Sequence, residues 1–525
     1  MRTKHCAKAT TFATALAALC FCVGCGHSNV AVTTYHYDNL RTGWNPHERK
    51  LTDARVSSAD FGLLHSIFLD DQIDAQPLVV PDEKITHGWA GGKHDVVYVA
   101  TEGNTLYAID AHSGDVLLHH YLGPPVPMPL GCTNNGPDVG INGTPVIDVV
   151  ENVMYVITYT VENNTPTYRV HEIDLSNLDD KIPAVIVAAT HTAGGHTFTF
   201  DAAYQRQRPA LLLANNNVYA GFGSFCDFSA DQSRGWVLGW QKGTLTPLPA
   251  NQLNDTQVSP PAPNFMLSSV WMSGYGLSAD AAGNIFFVTG NSASGTYDGL
   301  TNIQESVVKL SPDLMHFDLF TPSNQASLDS GDVDYGSGGA LLLPDQSGWM
   351  PHVALAAGKD GRMFILDRDL HDMGAYPGGP ASSSIGQCWC GPSYFDEKIA
   401  SSGGSIVNVW KLQETSSPQT VALVNVASSA NVGGAQDGGF FTSVSSDGAH
   451  HPIIWAVSRP NNQTPANVTL WAFSAASGGG TLAQLFKATA GTWPYVTGNA
   501  NVVPVVANGK VYVASYKELA IFGMK

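Results

Sequence analysis

The stretch FCDFSADQSRGWVLGW, residues 225–240, sets a thiol, a carboxylate and an Arg-Gly-Trp step between two apolar runs. Asp227 has two uses open to it there: its short side chain can close a turn on nearby backbone amides, or it can face a ligand. A second acidic loop, LDSGDVDYGSGG, carries Asp329, Asp332 and Asp334, and Lys359-Asp360-Gly361 makes a charged turn further on. Thiols are the other reactive groups. Of eight cysteines, Cys6, Cys20, Cys22 and Cys25 lie near the N-terminus, which leaves Cys132, Cys226, Cys388 and Cys390; four thiols allow three pairings. Cys388-Trp389-Cys390 could close a small ring, serve as a redox pair or do neither, and we read it as structural or as a site for an outside partner.

Other chemistries lack their residues. Histidine never takes metal-ligand spacing: H-E-x-x-H is absent, and the adjacent pairs His119-His120 and His450-His451 would point to opposite faces of a strand. The nucleophile elbow, the phosphate-binding loop and the dinucleotide fingerprint are missing. Without C-x-x-C-H, haem has no covalent attachment point. The 26 Lys and Arg against 44 Asp and Glu give a net charge of −18, which repels phosphate backbones and argues against nucleic acid as a partner.

The N-terminus has Arg2, Lys4 and Lys8, an apolar run over 12–23 and then VGCG, the pattern of an export signal too short to span a bilayer. Cys25, after Val23-Gly24, resembles the lipidated cysteine of bacterial lipoproteins, although Cys22 stands where Leu is usual. Lipidation at Cys25 would anchor an exported protein in the cell envelope, whereas plain cleavage would release it. Gly26, in place of a retention Asp, leans towards the outer membrane. The expected organisation is a leader over 1–24, an anchor or linker over 25–60 and one repeat array over 61–525.

Only 13% of the residues are charged while 53 are Gly and 30 are Pro, a turn-rich balance that suits an all-β chain. One pattern recurs, clearest in DVVYVATEGNTLYAIDAHSGDVL: strand, tight turn, strand. The centres of its first strand fall at Tyr98, Tyr155, Tyr219, Phe286, Ala354, Trp455 and Tyr512, spaced 57 to 68 residues apart except for one gap of 101. That gap should hide a degenerate copy near 394–425. A separate apolar strand precedes each hairpin, so each unit is a four-stranded antiparallel sheet that buries its faces only against its neighbours. The expected fold is an eight-bladed β-propeller, with FGLLHSIFLDD (61–71) pairing beside the last blade. Cys132 and Cys226 then fall in equivalent loops of successive blades, which makes a disulfide between them attractive.

The hairpin VYVATEGNTLYAIDAHSGD resembles the repeat of pyrroloquinoline quinone (PQQ) dehydrogenases and of their non-enzymatic relatives. The resemblance implies a Glu calcium ligand shortly before an Arg-Gly-aromatic step, matched here by Asp227 before Arg234-Gly235-Trp236. It implies an Asn ligand at a Thr-Gly-Asn strand end, matched by Asn291. It also implies an Asp general base in the next blade's loop, for which Asp332 aligns best of Asp329, Asp332 and Asp334, and a quinone-contacting Lys, matched by Lys359. The family's adjacent-cysteine ring and Trp floor around the quinone are replaced by Cys132 alone and by Trp271, which lies upstream of the expected place.

Two functions follow. One is an envelope-anchored, monomeric binding or scaffolding propeller whose channel mouth or blade edges hold an envelope protein, a glycan or a small ligand, and the departures above place it first. The alternative is a PQQ- and calcium-dependent dehydrogenase that oxidises an alcohol or sugar.

Overall fold

The second strand of each repeat is apolar on both faces: Val96, Val97, Tyr98 and Val99 are each at most 2% exposed. A sheet buried on both faces needs a neighbour on each side, and a closed ring supplies two neighbours to every sheet. The computed structural model has this arrangement. It describes residues 29–87, 90–133, 136–258, 266–374, 381–432, 438–458, 466–476, 479–494 and 501–525, so the leader and Cys25 lie outside the described residues.

The described residues form eight blades, each built on four antiparallel strands. Blade 1 runs Leu78–Ile85, Gly92–Ala100, Thr105–Asp110 and Val116–Tyr121 from the channel outwards. Its hairpin pairs Tyr98 with Ala108 and turns at Asn104, whose φ of 58° is the left-handed value such a turn needs. The outermost strand is the most open: of its residues only Leu117 is buried, and exposed positions alternate with half-buried ones over its last four residues. Blades 2 to 5 follow over 146–186, 206–253, 278–320 and 340–384, and blade 7 over 441–493.

The degenerate copy expected near 394–425 is blade 6: Ser393–Phe395, Lys398–Ser401, Asn408–Ser416 and Gln419–Ser428. Blade 8 joins both ends of the chain. Val505–Ala507, Lys510–Ala514 and Tyr516–Met524 are completed by Phe61–Gln72, which pairs antiparallel with the last of them. Closure is sealed by Ile67, Val79, Val97, Tyr512 and Ile521, a cluster shared by blades 8 and 1. Each such fully buried side chain is worth about 1.5–3 kcal/mol relative to exposure.

The segment expected as an anchor or linker is, over residues 30–48, a belt laid across the inner strands. Val32 exchanges backbone hydrogen bonds with Val79 of blade 1, and Thr33 O accepts from Ile147 N of blade 2. Arg41 Nη2 donates to Leu211 O beside blade 3, and Asn39 O and Leu40 O accept from Ala279 N and Leu342 N of blades 4 and 5. Thr42 O and Gly43 O accept from Tyr394 N and Val444 N of blades 6 and 7, and Asn45 Nδ2 donates to Val506 O of blade 8. Every blade is tied to this one segment. Gly43, at φ 65°, has no room for a side chain, since a Cβ would stand 2.5 Å from Ser393 Oγ.

Candidate functional site at the channel mouth

In each blade the innermost strand starts at the end of the ring to which the second strand returns. Connections into a new blade and turns after the second strand therefore share one face. That topology brings loops hundreds of residues apart around a single axis. There Gly131, Thr133, Arg206, Arg208, Cys226, Asp227, Trp271, Asp332, Asp334, Lys359 and Trp389 line a cavity of about 640 Å³.

Asp227 follows the second strand of blade 3, Asn217–Gly223. It is reached through two consecutive left-handed residues, Cys226 at φ 52° and Asp227 at φ 54°. Cys226 is pinned by a disulfide to Cys132, 94 residues earlier, with the Cα atoms 5.6 Å apart. The bridge fixes the turn that aims the carboxylate, and Ser224 Oγ donates to it. Asp227 is open to the cavity, yet the surrounding walls crowd it; this partial desolvation, with the charges of Asp334 and Asp332, pushes its pKa up to about 6.

Asn291 follows the second strand of blade 4, Ile285–Val288, and is 5% exposed. Its backbone N donates to Asp334 Oδ1 at 2.8 Å, and its side-chain Nδ2 donates to Asp332 Oδ1 at 3.0 Å. The three acids of the neighbouring loop divide by position around the short helix Gln325–Gly331. Asp329 is buried behind the cavity wall, accepts from Ser292 N at 3.1 Å and is raised to about 7, chiefly by burial. Asp332 ends the helix in a left-handed conformation, φ 52°, with its side chain 71% exposed. Asp334 is buried and meets Lys359 Nζ at 2.5 Å.

Lys359 sits in the turn after the second strand of blade 5, and its Nζ also lies 3.5 Å from Asp332 Oδ1. Burial alone would lower its pKa, but Asp334, Asp332 and Asp227 more than offset that and hold it charged. Beneath this pair Glu305 Oε2 accepts from Tyr335 N at 2.5 Å while its buried Oε1 has no partner; burial and Asp334 push its pKa well up.

The structure thus brings Asp227, Asn291, Asp332, Lys359 and Trp271 to one place. Cys132 is the exception. It is 3% exposed and does not line the cavity, where its disulfide partner Cys226 takes its place. Trp271 does face the cavity, with Arg208 at 5.2 Å and Lys359 at 5.8 Å from its ring centroid. Sequence reasoning missed Arg206, Arg208 and Glu305, whose surroundings give no motif, and left Trp389 without a role. Cys388 and Cys390 are joined in a disulfide that brackets Trp389.

The wall holds both signs of charge: Lys359 lies among Asp227, Asp332 and Asp334, and Arg206 and Arg208 add two further cations. Hard cations prefer oxygen donors, and three carboxylates beside an Asn carbonyl are such a set. Mutual repulsion at Asp227 is the strain a cation would relieve. Arg206 shows the complementary need: it is 3% exposed, spends Nε on Asn142 Oδ1 at 2.9 Å and leaves Nη2 unpartnered. The residues present therefore fit a cation and a polyanion side by side. A second cluster, Asp318, His371 and Asp372, has its ligand atoms within 4.8 Å of one another. It lies on the outer edge of blades 4 and 5, where both Asp318 oxygens already accept from Asp372 N.

No protein-family profile matches the sequence, and no curated protein matches it. Solved structures do. The quinohemoprotein alcohol dehydrogenase of Comamonas testosteroni superposes with a TM-score of 0.61 at 14% identity, covering 94% of this chain and 80% of that one. Quinohemoprotein alcohol dehydrogenase ADHIIG of Pseudomonas putida HK5 gives 0.62 at 13%, again covering 94% and 80%. A europium-containing methanol dehydrogenase gives 0.59 at 12%, covering 94% and 98%. The chain has the eight-bladed propeller fold of the quinoprotein alcohol dehydrogenases. Among the described residues no helix is long and apolar enough to cross a membrane.

Proposed function

We propose that the protein is a quinone- and metal-dependent dehydrogenase that oxidises a hydroxyl-bearing substrate. One observation carries the reading: Asp227, Asp332, Asp334, Lys359 and Trp271, contributed by three successive blades and their connections, share one cavity. Asp227 and Asn291 would hold the cation, and Arg206, Arg208 and Lys359 would hold an anionic quinone such as PQQ. When bound, the metal–quinone pair supplies a polarised carbonyl that accepts hydride.

The chain's own residues do the rest. Asp332, the most open acid of the loop, is placed to take the substrate hydroxyl's proton, and Asn291 Nδ2 orients its carboxylate. Asp334 stays buried and steers Lys359, whose fixed positive charge favours negative charge developing on the ligand beside it. Calcium and lanthanum are both to be tried as the cation.

The test is reconstitution of the full-length protein with PQQ and either cation, followed by dye-linked oxidation of alcohols and sugars. Stoichiometric PQQ uptake that Asn291→Ala abolishes is the expected result. Absence of uptake at high micromolar PQQ would overturn the dehydrogenase and leave a binding or scaffolding propeller. Export and lipidation at Cys25 belong to the same proposal; incorporation of labelled palmitate, lost in Cys25→Ala, checks them.

A further inference from the structure

A separate cavity lies on the face opposite the mouth, between blades 4 and 5. It measures about 300 Å³, and Leu40, Lys309, Asp345, His352, Arg368 and Asp369 are among its walls. That is the small end of ligand pockets, which suits a small molecule and not a peptide. The topology builds it: the turns between the first and second strands of the two blades, 280–284 and 343–352, meet there, and Arg368 follows the third strand of blade 5, Arg362–Asp367.

Arg368 is the group this cavity leaves unanswered. It is 5% exposed, and its Nη2 donates to Leu343 O at 3.0 Å. Its Nε is buried without a partner, and among the described residues the guanidinium forms no ion pair. The backbone fixes its place, since Arg368 N donates to His352 O at 2.9 Å and Arg368 O accepts from Lys309 Nζ at 2.7 Å. The second contact also brings another cation to the same wall. Burial lowers the pKa of Arg368, and Asp280, Asp345 and Asp369 act against that from beyond contact. A buried guanidinium with unspent donors is costly, so a carboxylate brought to it would be held through charged hydrogen bonds.

The acids of the lining are engaged elsewhere or stand at the rim. Asp280 spends Oδ1 on Ala282 N and Asn284 N and Oδ2 on Asn284 Nδ2. Asp369 and Asp345 flank His352, at 2.7 and 3.6 Å from its two ring nitrogens, with side chains 52% and 84% exposed. The cavity thus offers two cations with donors to spare and an open carboxylate. A plain anion would meet repulsion from the acids, and a plain cation repulsion from Arg368 and Lys309. A molecule carrying both charges satisfies both signs.

We propose that this cavity binds a small zwitterion of the α-amino-acid type, its carboxylate on Arg368 and Lys309 and its ammonium on Asp345. The site is independent of the dehydrogenase reading.

Calorimetry of the full-length protein with L-alanine, propionate and ethylammonium tests it, because the last two each lack one of the charges. L-Alanine should bind in the millimolar range or below, and the other two roughly tenfold or more weakly. Arg368→Met should abolish alanine binding, and Arg368→Lys, which keeps the charge without the planar fork, should restore part of it. Asp345→Asn alters an exposed side chain that folding does not need, and it should bring alanine down to the level of propionate. Absence of alanine binding in that range, or unchanged affinity in Arg368→Met, overturns the site. Propionate binding as tightly as alanine, or alanine binding unchanged in Asp345→Asn, overturns the zwitterion.

Discussion

Arg41 and Lys359 are both cations inside the channel, and their surroundings differ in kind. Arg41, 0% exposed, donates to the carbonyls of Leu277, Leu211, Tyr35 and Asp38 and to Thr34 Oγ1. Burial lowers its pKa to about 10. Beside it His36 stacks on Tyr35 and Tyr275 closes the group edge-on, with a hydrogen bond from its hydroxyl to Arg41 O. Lys359 meets carboxylates that face a cavity, and its charge is reinforced. At the belt, charge is satisfied by fixed backbone acceptors and has nothing left to give. At the mouth, it is balanced by groups that a ligand can re-pair. Of these two buried charges, only the one whose partners are themselves ionisable and open to a cavity marks a site.

The largest effect should come from breaking the belt. Arg41→Ala strips several buried carbonyls of their donor and should cost at least about 3–5 kcal/mol in urea unfolding. Lys359→Met should cost less than Arg41→Ala, because Asp334 keeps the Asn291 N–H, yet remove PQQ uptake. Equal stability losses in the two variants would erase the distinction between the two regions.

Next in size is the bridge that aims Asp227. Removing Cys132–Cys226 as a serine pair releases a loop of 94 residues; the chain-entropy model puts the cost at ~4 kcal/mol. Denaturation with and without reductant measures it.

Asp227→Asn should act the other way round. It removes a carboxylate held under repulsion, so stability should hold or rise, while calcium affinity should fall on the order of 10–100-fold by calorimetry.

The smallest effect is in the pH dependence, where the two regions have opposite signs. Asp329 at the mouth is raised from 3.8 to about 7, so its contribution is full below pH 3.8 and is lost as pH rises towards 7. His36 in the belt is lowered from 6.5 to about 3 by burial, so its contribution is full above 6.5 and is lost as pH falls towards 3. Each slope is at most about 1.4 kcal/mol per pH unit, and the two offset each other between pH 3.8 and 6.5. Asp329→Asn should therefore leave a curve that falls on the acid side, and His36→Gln one that falls on the neutral side, both read from apparent unfolding midpoints.

Blade number, blade 6 in the widest gap and the placing of 61–71 beside the last blade were all legible in the sequence. The reason is local: alternation and turn residues are properties of neighbouring positions, and a repeated sheet that cannot bury itself alone leaves few closed arrangements. Asp227, Asn291, Asp332 and Lys359 were legible only as candidates in chain order. Which acid opens to the cavity depends on left-handed residues such as Asp332, and on a helix end that no period announces. Arg206, Arg208 and Trp389 carry no motif, because each is defined by a side chain from another blade. The belt was invisible for the same reason. Its backbone bonds go to six blades and its Arg41 and Asn45 side chains to the other two, so VTTYHYDNLRTGWN has no periodicity of its own. Sequence alone determined the ring; only the closed ring decided which side chains meet at its axis, since those contacts join residues that the chain keeps far apart.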